Sequence, residues 1–154
     1  MYRTLMTVLT VLLASVWANA QTPVEKIMIK YEDVPGAKSF VAQGLKMTLA
    51  RNYLKSTQVA PIASDVDELY VLRMGGVSQT ICLRFVSDLK SALKQYDYYG
   101  TQPSRNGEVE VYVHYSGPGT VDELVIYNPS AYSLNSLSGQ FTVKELMALD
   151  RNGR

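Results

Sequence analysis

Residues 37–54 repeat apolar side chains at helical spacing. Phe40, Val41, Gly44, Leu45, Thr48, Leu49 and Tyr53 share one face, and Lys38, Lys46 and Arg51 are placed to face water. The spacing predicts a first helix there. A short apolar run at 69–74 reads as a strand ended by Gly75-Gly76. Ser78 is placed to cap a second helix, running to about residue 96, whose inward stripe is Cys82, Phe85, Val86, Leu89 and Leu93. Beyond it the period changes from 3.6 to 2. Residues 97–101 read as a strand, and 102–107, with Pro103 and Asn106-Gly107, as a turn. Over 108–115 the alternation is clean. Val109, Val111, Val113 and Tyr115 point one way, and Glu108, Glu110, Tyr112 and His114 the other, as in a sheet with one face buried.

Gly117-Pro118-Gly119 turns the chain into a strand at 121–127, and Asn128-Pro129-Ser130 turns it into another at 131–137. Four sequential strands joined by short turns predict an antiparallel meander. The closing helix has the most specific local signal. Thr142 and Glu145 have the spacing of a capping box, Phe141 and Leu146 that of a hydrophobic staple, and Arg151 and Gly153 fit a helix end. Two stretches stay without regular structure: 22–36, whose short apolar segment at 27–31 is unassigned before the break at Pro35-Gly36, and 55–67 around Pro61. The sum is one α+β domain: a single mixed, mostly antiparallel sheet of about five strands with helices packed on one face.

The N-terminus reads as a secretory signal peptide. Arg3 precedes an apolar run over 5–16, and Ala18-Asn19-Ala20 has the small-x-small pattern cut by a signal peptidase, so residues 1–20 are the leader and the mature chain starts at Gln21. The run is too short for a membrane span, which needs about 20 apolar residues. Lipid anchoring at the cleavage site would need a cysteine there, and the single cysteine is Cys82. Cys82 sits in the inward stripe of the second helix, where a small buried apolar side chain is the ordinary use of a lone thiol. Residues 21–154 then form the single domain.

Charge narrows the partners. The chain has 15 basic and 14 acidic residues, and Arg3 belongs to the leader, so the mature charge balances. That argues against nucleic acid, which is held by clustered Lys and Arg, and leaves an envelope protein or a ligand as partner, with no membrane span or lipid anchor.

The candidate chemistry is sparse. His114 is the only histidine, so a histidine-based metal cluster is excluded and no metal site is expected. Glu108 and Glu110 share its strand face, where paired carboxylates serve acid–base chemistry in some hydrolases. Alternating polar residues are also what a half-exposed strand presents to water, and that reading is preferred. Asp65, Asp67 and Glu68 lack the spacing of a calcium loop. Gly75-Gly76 before a helix lacks the rest of a phosphate-binding motif, and no serine sits in a nucleophile elbow. No cofactor is expected.

Tyrosine is the more informative residue. With 102–107 closing a hairpin, one register sets Tyr98 opposite Glu110 and Tyr96 opposite Tyr112. This places Tyr96, Tyr98, Tyr112, His114, Glu108 and Glu110 on one face as a candidate recognition surface. If helices cover that face, the same rings are core rim.

From about 26 to 148 the chain resembles the exported bacterial proteins of domain of unknown function family 4252. The resemblance is carried by the order of elements, by Leu69-Tyr70-Val71-Leu72, by Asp122-Glu123-Leu124-Val125-Ile126, and by Leu134, Leu137, Gly139 and Phe141-Thr142-Val143-Lys144-Glu145-Leu146. These are packing and turn positions. What the resemblance implies is a Gram-negative envelope setting, where Gln is a frequent first mature residue, and no catalytic role for any residue. The expected function is therefore an exported, non-enzymatic envelope domain that binds a protein or ligand. The alternative is a periplasmic hydrolase using sheet carboxylates.

Overall fold

Thr22-Pro23-Val24-Glu25 is a helix start in miniature. In the computed structural model, which describes residues 21–152, it opens helix α1 (Pro23–Tyr31). Glu25 N–H donates to Thr22 Oγ1 at 3.2 Å, Thr22 N–H donates to the Glu25 carboxylate at 3.4 Å, and Pro23 needs no N–H partner at this position. The stretch left unassigned from its apolar spacing is thus a helix with Val24, Met28 and Tyr31 buried. The leader at 1–20 with its cleavage after Ala20, and the helix end at Gly153, lie outside the described residues.

The predicted first helix divides in two. Strand β1 (Lys38–Ala42) is followed by α2 (Gly44–Leu54). β1 pairs with β2 (Val66–Arg73) from Lys38↔Arg73 to Ala42↔Leu69, so the β-prone Phe40 and Val41 extend the sheet. Starting the helix at Gly44 changes which face meets the core. Met47, Ala50 and Leu54 pack inward, while Leu45, Leu49 and Tyr53, read as the inward face, are 87%, 73% and 69% exposed. A 3-10 helix (Ala60–Asp65) occupies the expected loop and buries Ile62 and Ala63.

The remaining elements follow the pattern in kind and order: α3 (Gln79–Leu93), β3 (Asp97–Ser104), β4 (Gly107–Gly117), β5 (Thr120–Asn128), β6 (Ser133–Thr142) and α4 (Val143–Asn152), with β3 running into the expected turn at 102–107 and β6 extending beyond the expected 131–137. Cys82, Phe85 and Leu89 of α3 are buried as their spacing requires. The capping box of α4 forms, with Glu145 N–H donating to Thr142 Oγ1 at 3.2 Å, and Phe141 and Leu146 are both buried. β3 to β6 are the expected meander. The whole is one six-stranded sheet in the order β1-β2-β6-β5-β4-β3, antiparallel at every pairing. Among the described residues it therefore has one strand more than the roughly five expected, and no parallel pair.

Helices lie on both faces of this sheet. Tyr70, Leu72, Val125, Tyr127 and Leu134 point to one face and pack with Met28, Cys82, Phe85 and Leu89 of α1 and α3. Their strand neighbours Leu69, Val111, Val113, Leu124 and Leu137 point to the other and pack with Met47, Leu54, Ile62, Leu146 and Leu149 of α2, the 3-10 helix and α4. The correction to one covered face follows from alternation: Tyr112 and Val113 are neighbours on β4, and both are drawn into apolar packing. No helix among the described residues is long and apolar enough to cross a membrane.

Candidate functional site

The tyrosine face forms in a different register. Tyr98 lies opposite Tyr112, and Asp97 opposite Val113, whereas Thr101 takes the place facing Glu110. The cause is a bulge. Tyr99 is the extra residue between Tyr98 and Gly100, and it packs instead against the second core. Its hydroxyl donates to the Leu146 carbonyl oxygen at 3.0 Å. The rings of Tyr98 and Tyr112 meet at 5.4 Å, and those of Tyr96 and His114 at 5.2 Å.

These six residues do not make one accessible surface. Tyr96 is buried, Tyr112 and His114 are half-buried, Tyr98 is 58% exposed, Glu108 is exposed and Glu110 half-buried. Tyr112 donates to Glu110 at 3.3 Å, and the phenol is pushed up to about 12, chiefly by burial and then by the nearby Glu110 charge. His114 is four residues along the strand from Glu110, about 13 Å at the usual rise. His114 instead sits with its Nδ1 2.7 Å from Asp122 Oδ1. Glu108 and Glu110 therefore do not converge with His114 on one point, and among the described residues no cluster of His, Cys, Asp and Glu is arranged to hold a metal ion.

Beneath Tyr96 lies a residue that the strand pattern did not single out. Glu123 is 0% exposed and takes hydroxyl donors from three elements: Thr22 Oγ1 at 2.7 Å, Ser136 Oγ at 2.8 Å and the Tyr96 phenol. Tyr96 in turn accepts the Val24 N–H at 3.3 Å. The first turn of α1, the end of α3 and the centre of the sheet are thereby joined at one carboxylate. The sequence signal was present, since Glu123 interrupts an otherwise apolar inward row with Val125 and Tyr127. Shielded on all sides, it meets no solvent-borne substrate and works as a clamp.

Burial holds the Glu123 carboxyl above its ordinary range, outweighing the three hydroxyl bonds and the nearby His114 that lower it. Glu25 is raised as well, by burial first and then by the charges of Glu123 and Glu68, against bonds from Ser138 and Thr22 that lower it. A raised carboxyl means the folded chain holds its proton more tightly than the unfolded chain does. The stabilising contribution is present below the unfolded value near 4.3 and is lost as pH rises through the folded value. The urea midpoint is expected to rise as pH is lowered from 8 towards 5, at no more than about 1.4 kcal/mol per pH unit for a single titrating group. Glu123→Gln is expected to flatten the profile. A midpoint that falls over this range in the parent chain would contradict the assignment.

The second face of the sheet offers accessible space. α2, the 3-10 helix and α4 cover one end of it, and the rest is an open groove of about 1110 Å³. Its floor crosses four strands through the register neighbours Val71, Asn135, Ile126 and Val111. Beside that row lie Arg73, Ser133 and Asn128. Tyr53 and the segment 56–59 form one wall, and the Gly36 and Gly75-Gly76 turns form the end. Gly75-Gly76, read as a plain strand-to-helix turn, thus also borders the groove. The alternation of β4 marked Val109 and Val111 as pointing one way. That their face is only partly roofed is decided by tertiary packing, which no local pattern reports. Comparison with protein-family models, with curated proteins and with solved structures found no match.

Proposed function

We propose that this chain is an exported, non-enzymatic domain of the cell envelope, akin to family 4252, that binds its partner in the groove on the second face of the sheet. The observation that carries the reading is the groove itself. At about 1110 Å³ it is slightly larger than the usual ligand site of about 300–1,000 Å³. Its floor mixes Val71 and Ile126 with the amides and hydroxyls of Asn135 and Ser133, the mixture that grips an apolar body and orients it by a few polar groups. Export rests on the leader pattern at 1–20.

Each half has its own test. For export, intact mass of the protein recovered outside the cytoplasm is expected to begin at Gln21, and retention of residues 1–20 would sink that half. For the groove, the uncharged fluorophore N-phenyl-1-naphthylamine is expected to bind at one saturable site, with at least a tenfold loss of affinity in Ile126→Trp and none in Tyr98→Ser. Equal binding by both variants and the parent would remove the groove as the site.

A further inference from the structure

The groove is lined by three cations, Lys38, Arg73 and Arg105, and by no Asp or Glu among the described residues. In a chain with 15 basic and 14 acidic residues, this is a segregated arrangement. Lys38 and Arg73 are also directly opposite one another in the β1–β2 register. Cross-strand partners stand about 4.5–5.5 Å apart at Cβ, and like charges in that relation oppose folding. Among the described residues neither side chain has an ion pair to offset this: the acidic partners present go elsewhere, Asp88 to Lys30, Asp67 to Arg51 and Asp122 to His114. Two cations held side by side at the end of a groove with no anion of the protein's own are arranged to receive one from outside.

An apolar row crosses the groove in a direction that fits a chain. From Arg73 the floor crosses β6 and β5 to β4, three strand spacings or about 14 Å, past the half-buried Val71 and Ile126 and the buried Val111. Ser133 is the register neighbour of Arg73, and Asn135 that of Val71, so hydrogen-bonding groups stand beside the cations, and Gln102, Ser104 and Asn106 of the β3–β4 hairpin border the groove beyond Val111. Arg105, in the β3–β4 turn, is on the far rim of the sheet.

We infer that the groove binds a long-chain carboxylate, with its head between Arg73 and Lys38 and its aliphatic chain laid across Val71, Ile126 and Val111. The inference rests on the groove being the binding site. One planar guanidinium fork and one ammonium suit a single carboxylate, which accepts two parallel N–H bonds from arginine. The apolar floor supplies affinity in proportion to the chain covered.

The test compares heads on one tail, by displacement of N-phenyl-1-naphthylamine below the micelle concentration. Laurate is expected to bind at least tenfold more tightly than dodecanol or dodecyltrimethylammonium. Lys38→Gln/Arg73→Gln is expected to lose at least tenfold for laurate, to keep the binding of dodecanol and the fluorophore, and to melt no lower than the parent, since a like-charge pair has been removed. Laurate and dodecanol binding equally, or laurate unaffected by the double variant, overturns the head-group inference and leaves the groove reading standing. No binding of any tail or of the fluorophore overturns both. Tighter binding of dodecyl phosphate than of laurate replaces the carboxylate by a phosphate head and overturns the inference as stated. Co-sedimentation with phosphatidylglycerol vesicles, without binding of free laurate, does so in favour of a membrane surface.

Discussion

Phe85→Ala is expected to lower the unfolding free energy by about 3–5 kcal/mol, the usual cost of emptying a fully buried aromatic site. Phe85 has no exposed surface, and its ring meets Tyr31 of α1 edge-on at 5.4 Å and Tyr127 of β5 at 6.4 Å. It is the side chain through which α3 grips both its neighbouring helix and the sheet. The loss combines transfer of the ring to water, the cavity left behind and two aromatic contacts. Against a total stability of about 5–15 kcal/mol for a domain of this kind, the variant would unfold at a much lower urea concentration. Phe85→Leu, which keeps most of the volume, is expected to lose less than half as much. A loss below about 1 kcal/mol for the alanine variant would show that the site collapses onto itself, and that Phe85 does not hold α3.

Gly36→Ala is expected to lose about 2–4 kcal/mol, from left-handed backbone strain of about 1–3 kcal/mol plus a steric overlap. Gly36 has φ +89°, and a Cβ built there would lie 2.2 Å from the Gly76 carbonyl oxygen. Because that atom belongs to backbone, relief requires moving the turn that leads into α3. Gly44→Ala provides the comparison: its φ is +56°, but a Cβ there meets nothing within 4 Å, so it reports strain alone. Equal losses at the two sites in urea titrations would dispose of the overlap argument. Since Gly36 and Gly76 both border the groove, binding of the fluorophore is expected to weaken in Gly36→Ala and to be unchanged in Gly44→Ala.

The two substitutions also differ in how far the residues betray their roles. Phe85 declares itself through the stripe it shares with Cys82 and Leu89, because a 3.6-residue period repeated over four turns has one structural solution. Gly36 looks like punctuation after Pro35, and its contact with Gly76 joins chain segments forty residues apart. The same contrast runs through the fold. The capping box at Thr142 is a local hydrogen-bond exchange and is readable as written. The equivalent box at Thr22 and Glu25 was equally local, and an unassigned apolar segment of only five residues concealed it.

Where local and long-range forces compete, the pattern misleads. Residues 38–42 fit a helix stripe and a strand equally well, and the free edge of β2 decides for the strand. That choice moves the helix start to Gly44 and turns Leu45, Leu49 and Tyr53 outward. The hairpin of β3 and β4 was legible as a hairpin, but its register was set by the bulge at Tyr99, which anchors to α4 from the far end of the chain.

The sequence alone therefore determined the α+β class, the β3–β6 meander, the inward face of α3 and the start of α4, because each rests on periodicity or on hydrogen bonds within a few residues. Only the tertiary structure decided that both faces of the sheet are used, that Glu123 is a buried clamp, and that Lys38, Arg73 and Ile126 share one groove. Those facts depend on strand order, which brings β6 between β2 and β5. Strand order is chosen by the packing of the whole chain, to which no window of neighbouring residues has access.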